Sequence, residues 1–365
     1  MALVNEQYPT NSLEPTTRVS HRRAASGGSK FELAVHGGTA DSGSSTKLTP
    51  GVTMTVQPNT PHVPRHPDRL REGYDRMVRA AGVDGRFIRR RSAQVHVIEA
   101  GDGPPVVHLH GNNTSSLSHL MLLEHMPRAR SYLVDRPGFG LSDPDPFPRN
   151  GLRQWAVAFL DEVLDELGLG AAVLAGASGG GSWSVWYALD RPERVRGLVL
   201  VGSVPLLPGA RIPAGIRLMA TPLLGGFLGR TVKPGRRTLL RLMSSMGEGD
   251  TILRYPDLFA SLLDAAHDPV ATAADTAEFR ALLSPFGVRS GARIRPDELR
   301  RLPVPTLMIW GDRDPVVPVA DARSAADLIP NARLEVLPAG HVPQLGNPAR
   351  VAELMEGFTR SCATP

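Results

Sequence analysis

The sequence predicts an α/β fold, in which helices flank a mostly parallel central sheet and a helical cap is inserted between two strands. From Ser92 onward, short apolar runs of strand length alternate with longer amphipathic stretches, a pattern that is typical of parallel sheets. Between Gly202 and Leu302 the alternation stops, and helical sequence punctuated by Pro and Gly follows. The 365 residues, of which 41% are hydrophobic, are sufficient for one large core.

The N-terminal part of the chain differs from the rest. Residues 1–66 are rich in Ser, Thr, Gly and Pro and show no helical or strand periodicity, so we expect a largely disordered extension. Within it, the stretch from Arg18 to Arg23 is basic like a transit peptide, but acidic residues interrupt the surrounding sequence. Asp68 follows three prolines and is placed to cap a helix that ends near Ala80.

Seven runs have the length and apolar character of sheet strands. They are Val95–Ala100, Pro105–His110, Ser131–Asp135, Ala171–Ala175, Arg196–Val201, Thr306–Trp310 and Leu334–Leu337. Two segments between them, Leu152–Leu167 and Ser182–Arg191, are predicted to be helices. In the first of these, apolar side chains fall on one stripe that would face the sheet.

The core is therefore predicted to comprise residues 67–203 and 301–365, and the cap residues 204–300. The cap begins with an unusual segment, because Pro205–Gly247 contains seven basic residues and no Asp or Glu. An apolar acyl pocket with anionic attraction, or peripheral contact with lipid headgroups, would explain the pattern. The interpretation that we favour is simpler: cap helices pack their apolar side on the core while the arginines are solvated.

Composition excludes several classes of protein. No apolar run approaches 18 residues, so we predict no transmembrane segment. The single cysteine, Cys362, excludes an internal disulfide, and no Cys/His grouping has zinc spacing. The pI near 9.8 comes from scattered arginines without interleaved aromatics, so nucleic-acid binding is not expected. We expect a cytoplasmic protein with a small-molecule substrate and no metal or organic cofactor.

The segment Gly176–Gly180 has the pattern of a nucleophile elbow. It places Ser178 between small residues, after an apolar strand and before a helix. Such a sharp turn strains the serine backbone and lifts the hydroxyl clear of the sheet, and only small neighbours tolerate it. We therefore predict that Ser178 is a nucleophile.

A serine nucleophile needs a base, and the base needs a carboxylate that fixes its tautomer. Asp314 follows the strand that ends at Trp310, and His341 follows the strand that ends at Leu337. Because the carboxyl ends of parallel strands meet at one edge of a sheet, these two residues can reach Ser178. The chain order Ser, Asp, His is the one that accompanies a nucleophile elbow.

Two backbone N–H groups must also stabilise the oxyanion of the reaction. Gly179, directly after the nucleophile, is predicted to supply one donor. We expect the second from the loop after the strand that ends at His110, and assign it to Asn112.

Together these motifs resemble the α/β-hydrolase fold family, in its capped, esterase-like form. The matching segments, in the family's order, are His110–Asn112, Asp135–Ser142, Gly176–Gly180, Arg191–Val195, Trp310–Asp314 and Gly340–His341. The resemblance assigns the acid to Asp314 and gives Asp312 a role in holding the turn. Asp135 and Ser142 match positions that shape a loop near the site.

The early loop departs from the esterase pattern. The run Gly111–Ser116 resembles haloalkane dehalogenases, in which an asparagine side chain helps to hold halide. Those enzymes use an aspartate nucleophile, and Ser178 cannot form their alkyl-ester intermediate. Asn113, in this run, and Trp183, after the elbow, are candidate pocket residues, although Trp183 also has the spacing of core packing.

The sequence thus predicts a serine hydrolase that cleaves a carboxylic ester or lactone of a small to medium hydrophobic substrate. Carbon–carbon bond hydrolysis and acyl transfer use the same triad and stay open as alternatives. A ligand-binding protein without catalysis is the competing class. Such proteins commonly lack a triad member, whereas all three positions are filled here.

Overall fold

An eight-stranded sheet forms the centre of the molecule. The computed structural model describes residues 68–363, except residues 92, 203, 205, 211–216, 218–220, 222–232 and 285. The strands are β1 (Asp84–Arg90), β2 (Ala93–Ala100), β3 (Pro105–Leu109), β4 (Arg130–Val134), β5 (Ala172–Ala177), β6 (Val195–Val201), β9 (Thr306–Gly311) and β10 (Ala332–Leu337). Two further strands, β7 (Leu283–Ser284) and β8 (Gly287–Val288), form a separate hairpin.

The order in the sheet is β1-β2-β4-β3-β5-β6-β9-β10. The β1–β2 and β2–β4 pairs are antiparallel, and all other neighbouring pairs are parallel. The mostly parallel sheet and the predicted fold class are confirmed. The carboxyl ends of β3, β5, β9 and β10 therefore lie at one edge of the sheet, where the predicted site residues follow them.

Helices cover both faces of the sheet. They are α1 (Asp68–Ala80), α2 (Leu152–Glu166), α3 (Gly179–Asp190), α4 (Arg236–Ser245), α5 (Gly249–Ile252), α6 (Pro256–His267), α7 (Pro269–Leu282), α8 (Pro296–Arg300), α9 (Val319–Leu328), α10 (Pro343–Gly346) and α11 (Pro348–Ala363). Two 3₁₀ segments, Ser116–His125 and Pro192–Arg194, accompany them.

Strand alternation divides the core between the two faces. In β6, Leu198 and Leu200 belong to the apolar cluster that contains residues of α2 and α3. Val199 and Val201, from the same strand, belong to a second cluster with residues of α11. Because successive side chains of β6 point in opposite directions and those from Leu198 to Val201 are all apolar, this part of the strand is buried on both faces.

The insertion packs against the core through a third apolar cluster. Leu239, Ile252 and Phe259 of the cap join Leu70 and Tyr74 of α1 in this cluster. Most cap residues beyond 232 that the structure describes are helical, as predicted, and the β7–β8 hairpin was not anticipated. The domain limits stay a prediction, because cap and core cluster together as one compact unit.

One core strand was missed by the sequence prediction, which started the sheet near Ser92. Strand β1 is mostly exposed and buries only Ile88 and Arg90. Its apolar signal is therefore too weak to mark it as a strand.

Several predictions fall on residues that are not described, among them the disordered extension 1–66 and part of the basic segment. Within that segment, the described cations Arg217, Lys233, Arg236, Arg237 and Arg241 are exposed. Their exposure agrees with solvated arginines, and peripheral membrane contact stays a prediction. Within the described residues, no helix is both long and apolar enough to cross a membrane.

Candidate active site

Ser178 lies between the end of β5 and the start of α3. Its backbone has φ 50° and ψ −118°, a conformation that is strained for a residue with a Cβ. The neighbouring glycines permit the turn: a Cβ on Gly176 would lie 2.5 Å from the Gly180 carbonyl oxygen, and one on Gly180 would collide with the Leu109 carbonyl oxygen. The small residues of the elbow are thus required by close backbone packing.

The structure brings the three predicted catalytic residues together. Nε2 of His341 lies 3.0 Å from Oγ of Ser178, and Nδ1 lies 3.1 Å from Oδ2 of Asp314. Because an ionised carboxylate only accepts hydrogen bonds, Nδ1 carries the proton and Nε2 is left to accept the serine proton. The backbone N–H of Val316 donates to Oδ1 of Asp314 at 2.8 Å, which holds this carboxylate in place.

The oxyanion loop, residues Gly111–Asn113, lies against the nucleophile. A Cβ on Gly111 would be only 3.0 Å from Cβ of Ser178. The N–H of Asn113 is donated to Oδ1 of Asp275 at 3.1 Å, which keeps the N–H of Asn112 as the candidate donor from this loop. Gly179 is the first residue of α3, where backbone N–H groups have no acceptor within the helix. These two N–H groups stay the proposed oxyanion hole.

His110 supports this loop and has no proton-transfer role in the arrangement. Its Nδ1 lies 2.7 Å from the Gly111 carbonyl oxygen, while its Nε2 accepts the N–H of Arg136 at 2.9 Å. The ring therefore carries its proton on Nδ1. Burial and the nearby Arg136 charge lower the pKa of His110 to about 3, so the ring is neutral at physiological pH.

Asp135 and Asp312 both hold loops in place through hydrogen bonds. Asp135 is fully buried and accepts hydrogen bonds from the Tyr74 hydroxyl at 2.7 Å and the Ser116 N–H at 2.8 Å. Oδ1 of Asp312 accepts the N–H of Ala339 at 3.0 Å, which joins the loop of the acid to the loop of the histidine.

Two acids of α7 also reach the oxyanion loop, and sequence analysis did not identify them. Glu278 accepts hydrogen bonds from Nδ2 of Asn112 at 2.6 Å and from Nη1 of Arg136 at 2.7 Å. Its side chain is fully buried. Asp275, one helical turn earlier, binds the Asn113 N–H. Burial raises the pKa of Asp275 to about 7; the Asn113 N–H opposes this shift and the Glu278 charge adds to it. Nothing in the local sequence distinguishes these acids from solvent-exposed ones.

A third acid of the insertion contacts the histidine loop. Glu248 is fully buried, and its Oε1 accepts the N–H of Val342 at 3.0 Å. The N–H of His341 donates to the Met246 carbonyl oxygen at 2.9 Å. Burial raises the pKa of Glu248, and the hydrogen bond from Val342 opposes the shift. The insertion therefore contacts both the oxyanion loop and the loop that contains His341.

A cavity of about 200 Å³ opens beside Ser178 and His341. Its apolar lining comes mainly from the cap and includes Leu239, Leu242, Met243, Leu258, Leu262 and Phe279. The oxyanion loop contributes Gly111, Asn112 and Asn113, and the role of Asn113 in binding substrate stays a prediction. No Lys or Arg is among the described lining residues, so this cavity favours neutral, apolar groups.

Trp183 does not line this cavity, and its candidate role in the pocket is therefore wrong. The indole is fully buried and packs edge to face on Trp155 and Phe159. Its Nε1 donates to Glu278 at 3.0 Å. A buried tryptophan N–H usually has a hydrogen-bond acceptor, and here the acceptor is a cap carboxylate. Across the described residues, no three His, Cys, Asp or Glu side chains are grouped so as to hold a metal ion.

The chain is similar in sequence to known hydrolases. The sequence model of the Alpha/beta hydrolase family matches residues 106–354. The chain is 30% identical over 279 residues to the pimeloyl-[acyl-carrier protein] methyl ester esterase of Xanthomonas oryzae pv. oryzae, covering 73% of this chain and 99% of the relative. It is 28% identical over 281 residues to the 2-hydroxymuconate semialdehyde hydrolase of Pseudomonas putida, covering 75% and 93%.

Solved structures show the same fold. The carboxylesterase CesB (YbfK) of Bacillus subtilis superposes with a TM-score of 0.61 and 22% identity, over 80% of this chain and 96% of that one. At this identity the likeness concerns the fold alone.

Proposed function

Since the chain belongs to the alpha/beta hydrolase family and is a hydrolase, we propose that it cleaves a carboxylic ester or lactone through an acyl-serine intermediate. The observation that carries the proposal is the unbroken set of contacts Ser178–His341–Asp314 beside an apolar cavity. A ligand-binding protein without catalysis would not need this arrangement.

In the proposed first step, Oγ of Ser178 attacks the ester carbonyl carbon while Nε2 of His341 takes the hydroxyl proton. Asp314 stabilises the imidazolium that forms. The carbonyl oxygen becomes an oxyanion, which accepts hydrogen bonds from the N–H groups of Gly179 and Asn112. The tetrahedral intermediate then collapses, and the alcohol leaves with the proton from His341.

The second step repeats this chemistry with water as the nucleophile. His341 removes a proton from water, and the resulting attack on the acyl carbon gives a second oxyanion in the same position. When the bond between the acyl carbon and Oγ of Ser178 breaks, the proton returns from His341 to the serine. The products are a carboxylic acid and the alcohol, and a lactone gives one hydroxy acid.

The cavity supports a neutral substrate with an apolar acyl or alcohol group. Its described lining is rich in Leu, Met and Phe from the cap, and only a few polar groups, close to Ser178, are suited to orient an ester. The similarity to an esterase that acts on the methyl ester of a pimeloyl chain agrees with this preference.

Hydrolysis of a carbon–carbon bond is the second candidate, and the similarity to the 2-hydroxymuconate semialdehyde hydrolase favours it. The substrate name of that relative denotes a carboxylate, and binding a carboxylate in an apolar cavity requires a compensating cation. Arg136 contacts the oxyanion loop and is the cation to consider for this role. Its side chain is fully buried, however, and its Nη1 is paired with Glu278. We therefore rank ester hydrolysis first.

A fluorophosphonate probe tests the proposal. Intact mass should show one adduct on the wild-type protein and none on Ser178→Ala, with both proteins folded by circular dichroism. A series of p-nitrophenyl esters should then show higher kcat/KM for medium chains than for acetate. Absence of an adduct on folded wild-type protein would refute an activated serine, and a clear preference for acetate would refute the apolar substrate.

A further inference from the structure

We propose that Asp275 and Glu278 of cap helix α7 are positioning residues for the oxyanion hole. By this inference, the cap orients the loop Gly111–Asn113 in addition to enclosing substrate. The inference rests on the proposed function, since it assigns to these acids a part in the same reaction.

Glu278 binds the oxyanion loop from the cap side. One carboxylate oxygen accepts a hydrogen bond from Nδ2 of Asn112 at 2.6 Å, and the other accepts one from Nη1 of Arg136 at 2.7 Å. Nη2 of Arg136 donates in turn to the Gly111 carbonyl oxygen at 2.8 Å. The Gly111 carbonyl belongs to the same peptide group as the proposed Asn112 N–H donor. This peptide group and the Asn112 side chain are thus both held through a single carboxylate.

The same carboxylate is linked to the nucleophile side of the site. Nε1 of Trp183, in α3, donates to Oε1 of Glu278 at 3.0 Å. The guanidinium of Arg136 stacks 4.8 Å from the centre of the Trp183 ring. Because Gly179 begins α3, the contacts of Glu278 place both proposed oxyanion donors relative to one another.

Asp275 fixes the far end of the loop. Oδ1 accepts the N–H of Asn113, whose backbone has φ 54°. This left-handed conformation is uncommon for residues other than glycine, although asparagine adopts it more readily than most. A buried acceptor on α7 stabilises it here, so the loop conformation depends on the cap.

Small displacements of such a loop are costly for catalysis. Loss of one oxyanion donor lowers kcat by about 10²- to 10³-fold. We expect a smaller effect when the donor is present but poorly oriented, of about 10- to 100-fold. Because the oxyanion develops only in the transition state, kcat should fall while KM changes little.

The test compares variants of the full chain. Glu278→Gln keeps the shape of the side chain but replaces one acceptor oxygen by an amide N–H₂ group, which would face the N–H donors of Asn112 or Arg136. Asp275→Ala removes the acceptor of the Asn113 N–H, whereas Asp275→Asn retains a carbonyl acceptor and should rescue activity. Glu298→Gln is the matched control. Glu298 is also a buried acid of the insertion, and it is paired with an arginine in the same way, since its Oε1 lies 2.6 Å from Nη1 of Arg153.

Two readouts separate the inference from the proposed function. One is kcat and KM on a p-nitrophenyl ester, and the other is the second-order rate at which a fluorophosphonate labels Ser178. Labelling forms a tetrahedral adduct whose oxygen occupies the oxyanion hole. If the wild-type protein is labelled but hydrolyses no ester, the proposed function fails and the labelling rates still decide the inference.

We expect Glu278→Gln and Asp275→Ala to lose about 10- to 100-fold in kcat and in labelling rate, with KM within about 3-fold of wild type. Glu298→Gln and Asp275→Asn should stay within about 3-fold of wild type in both rates. If Glu278→Gln does not fold, the two Asp275 variants decide alone. Unchanged rates in the folded variants, or a rise in KM alone, would overturn the inference.

Discussion

Oε1 of Glu248 accepts the backbone N–H of Val342 at 3.0 Å, so a buried cap carboxylate is bound at the residue that follows the catalytic-base candidate His341. This contact gives Glu248 a part in holding the histidine loop. Its burial means that the hydrogen bond has no competition from water.

Replacing Glu248 by Ala should lower kcat by about 10-fold and destabilise the fold by about 1–3 kcal/mol, because the partly buried Val342 N–H loses its acceptor. Glu248→Gln retains a carbonyl oxygen and should stay close to wild type in kcat. Steady-state kinetics and urea denaturation of both variants measure the two effects. Equal losses in Ala and Gln would show that the charge, and not the hydrogen bond, is responsible.

Asp314→Asn should lower kcat by about 10³- to 10⁴-fold, because an amide cannot stabilise the imidazolium and favours the wrong tautomer of His341. The melting temperature should change little, since the Asn carbonyl can still accept the N–H of Val316. Ester hydrolysis at saturating substrate and a thermal melt check both parts. A loss below about 10-fold would assign the orienting role to another group.

Asp275→Asn should become more stable relative to wild type as the pH rises. Burial raises the pKa of Asp275 from 3.8 to about 7, so its contribution to stability is fully present below pH 3.8 and is lost as the pH rises to about 7. Glu278 disfavours the charged form and Arg136 favours it. Urea midpoints at pH 5, 6, 7 and 8 should show the difference growing up to pH 7 and then levelling. A difference that is constant with pH would contradict the prediction.

Met243→Trp should shorten the preferred acyl chain, because Met243 lines the cavity and the larger ring takes up its volume. We expect the ratio of kcat/KM for the octanoate and butyrate p-nitrophenyl esters to fall about 10-fold. Leu253→Trp is the control, since Leu253 is 47% exposed and is not among the described lining residues. The same fall in both variants would argue against this position of the acyl chain.

Gly176→Ala should prevent folding or destabilise the protein by several kcal/mol, since its Cβ would lie 2.5 Å from the Gly180 carbonyl oxygen. Gly357→Ala, inside α11, meets no atom within 4 Å and should stabilise the protein by about 1 kcal/mol. Thermal melts of the two variants give the comparison. A stable Gly176→Ala protein would show that the elbow can relax.

Sequence alone was enough for the fold because buried parallel strands such as β5 and β6 are short continuous apolar runs. It also predicted that Ser178, Asp314 and His341 would lie together, since each follows a strand end and parallel strands share one edge. Strand β1 was missed because it buries few side chains. At the edge of a sheet most side chains are exposed, so β1 lacks the continuous apolar run that identifies the buried strands.

The acids Glu248, Asp275 and Glu278 could not be identified from the sequence. In α7, alternating Ala, Thr and acidic residues are typical of a solvent-exposed helix face. Asp275 and Glu278 are buried only because the insertion packs against the core. The helical spacing of Trp183 agreed with a place in the core and with a place in the substrate pocket. The acceptor of its indole N–H, Glu278, lies 95 residues away in the chain, so the sequence could not decide between the two.

The contacts of the insertion with the oxyanion loop and with the loop that contains His341 limit how substrate preference can be changed by protein engineering. A chimaera that exchanges residues 204–300 for the lid of another hydrolase would remove the partners of Asn112, Asn113 and Val342. We expect such a graft to lower kcat on every substrate, unless the oxyanion loop and the loop that contains His341 were transplanted with it. Recoding single lining positions within the native lid preserves these contacts and is the better route to new specificity.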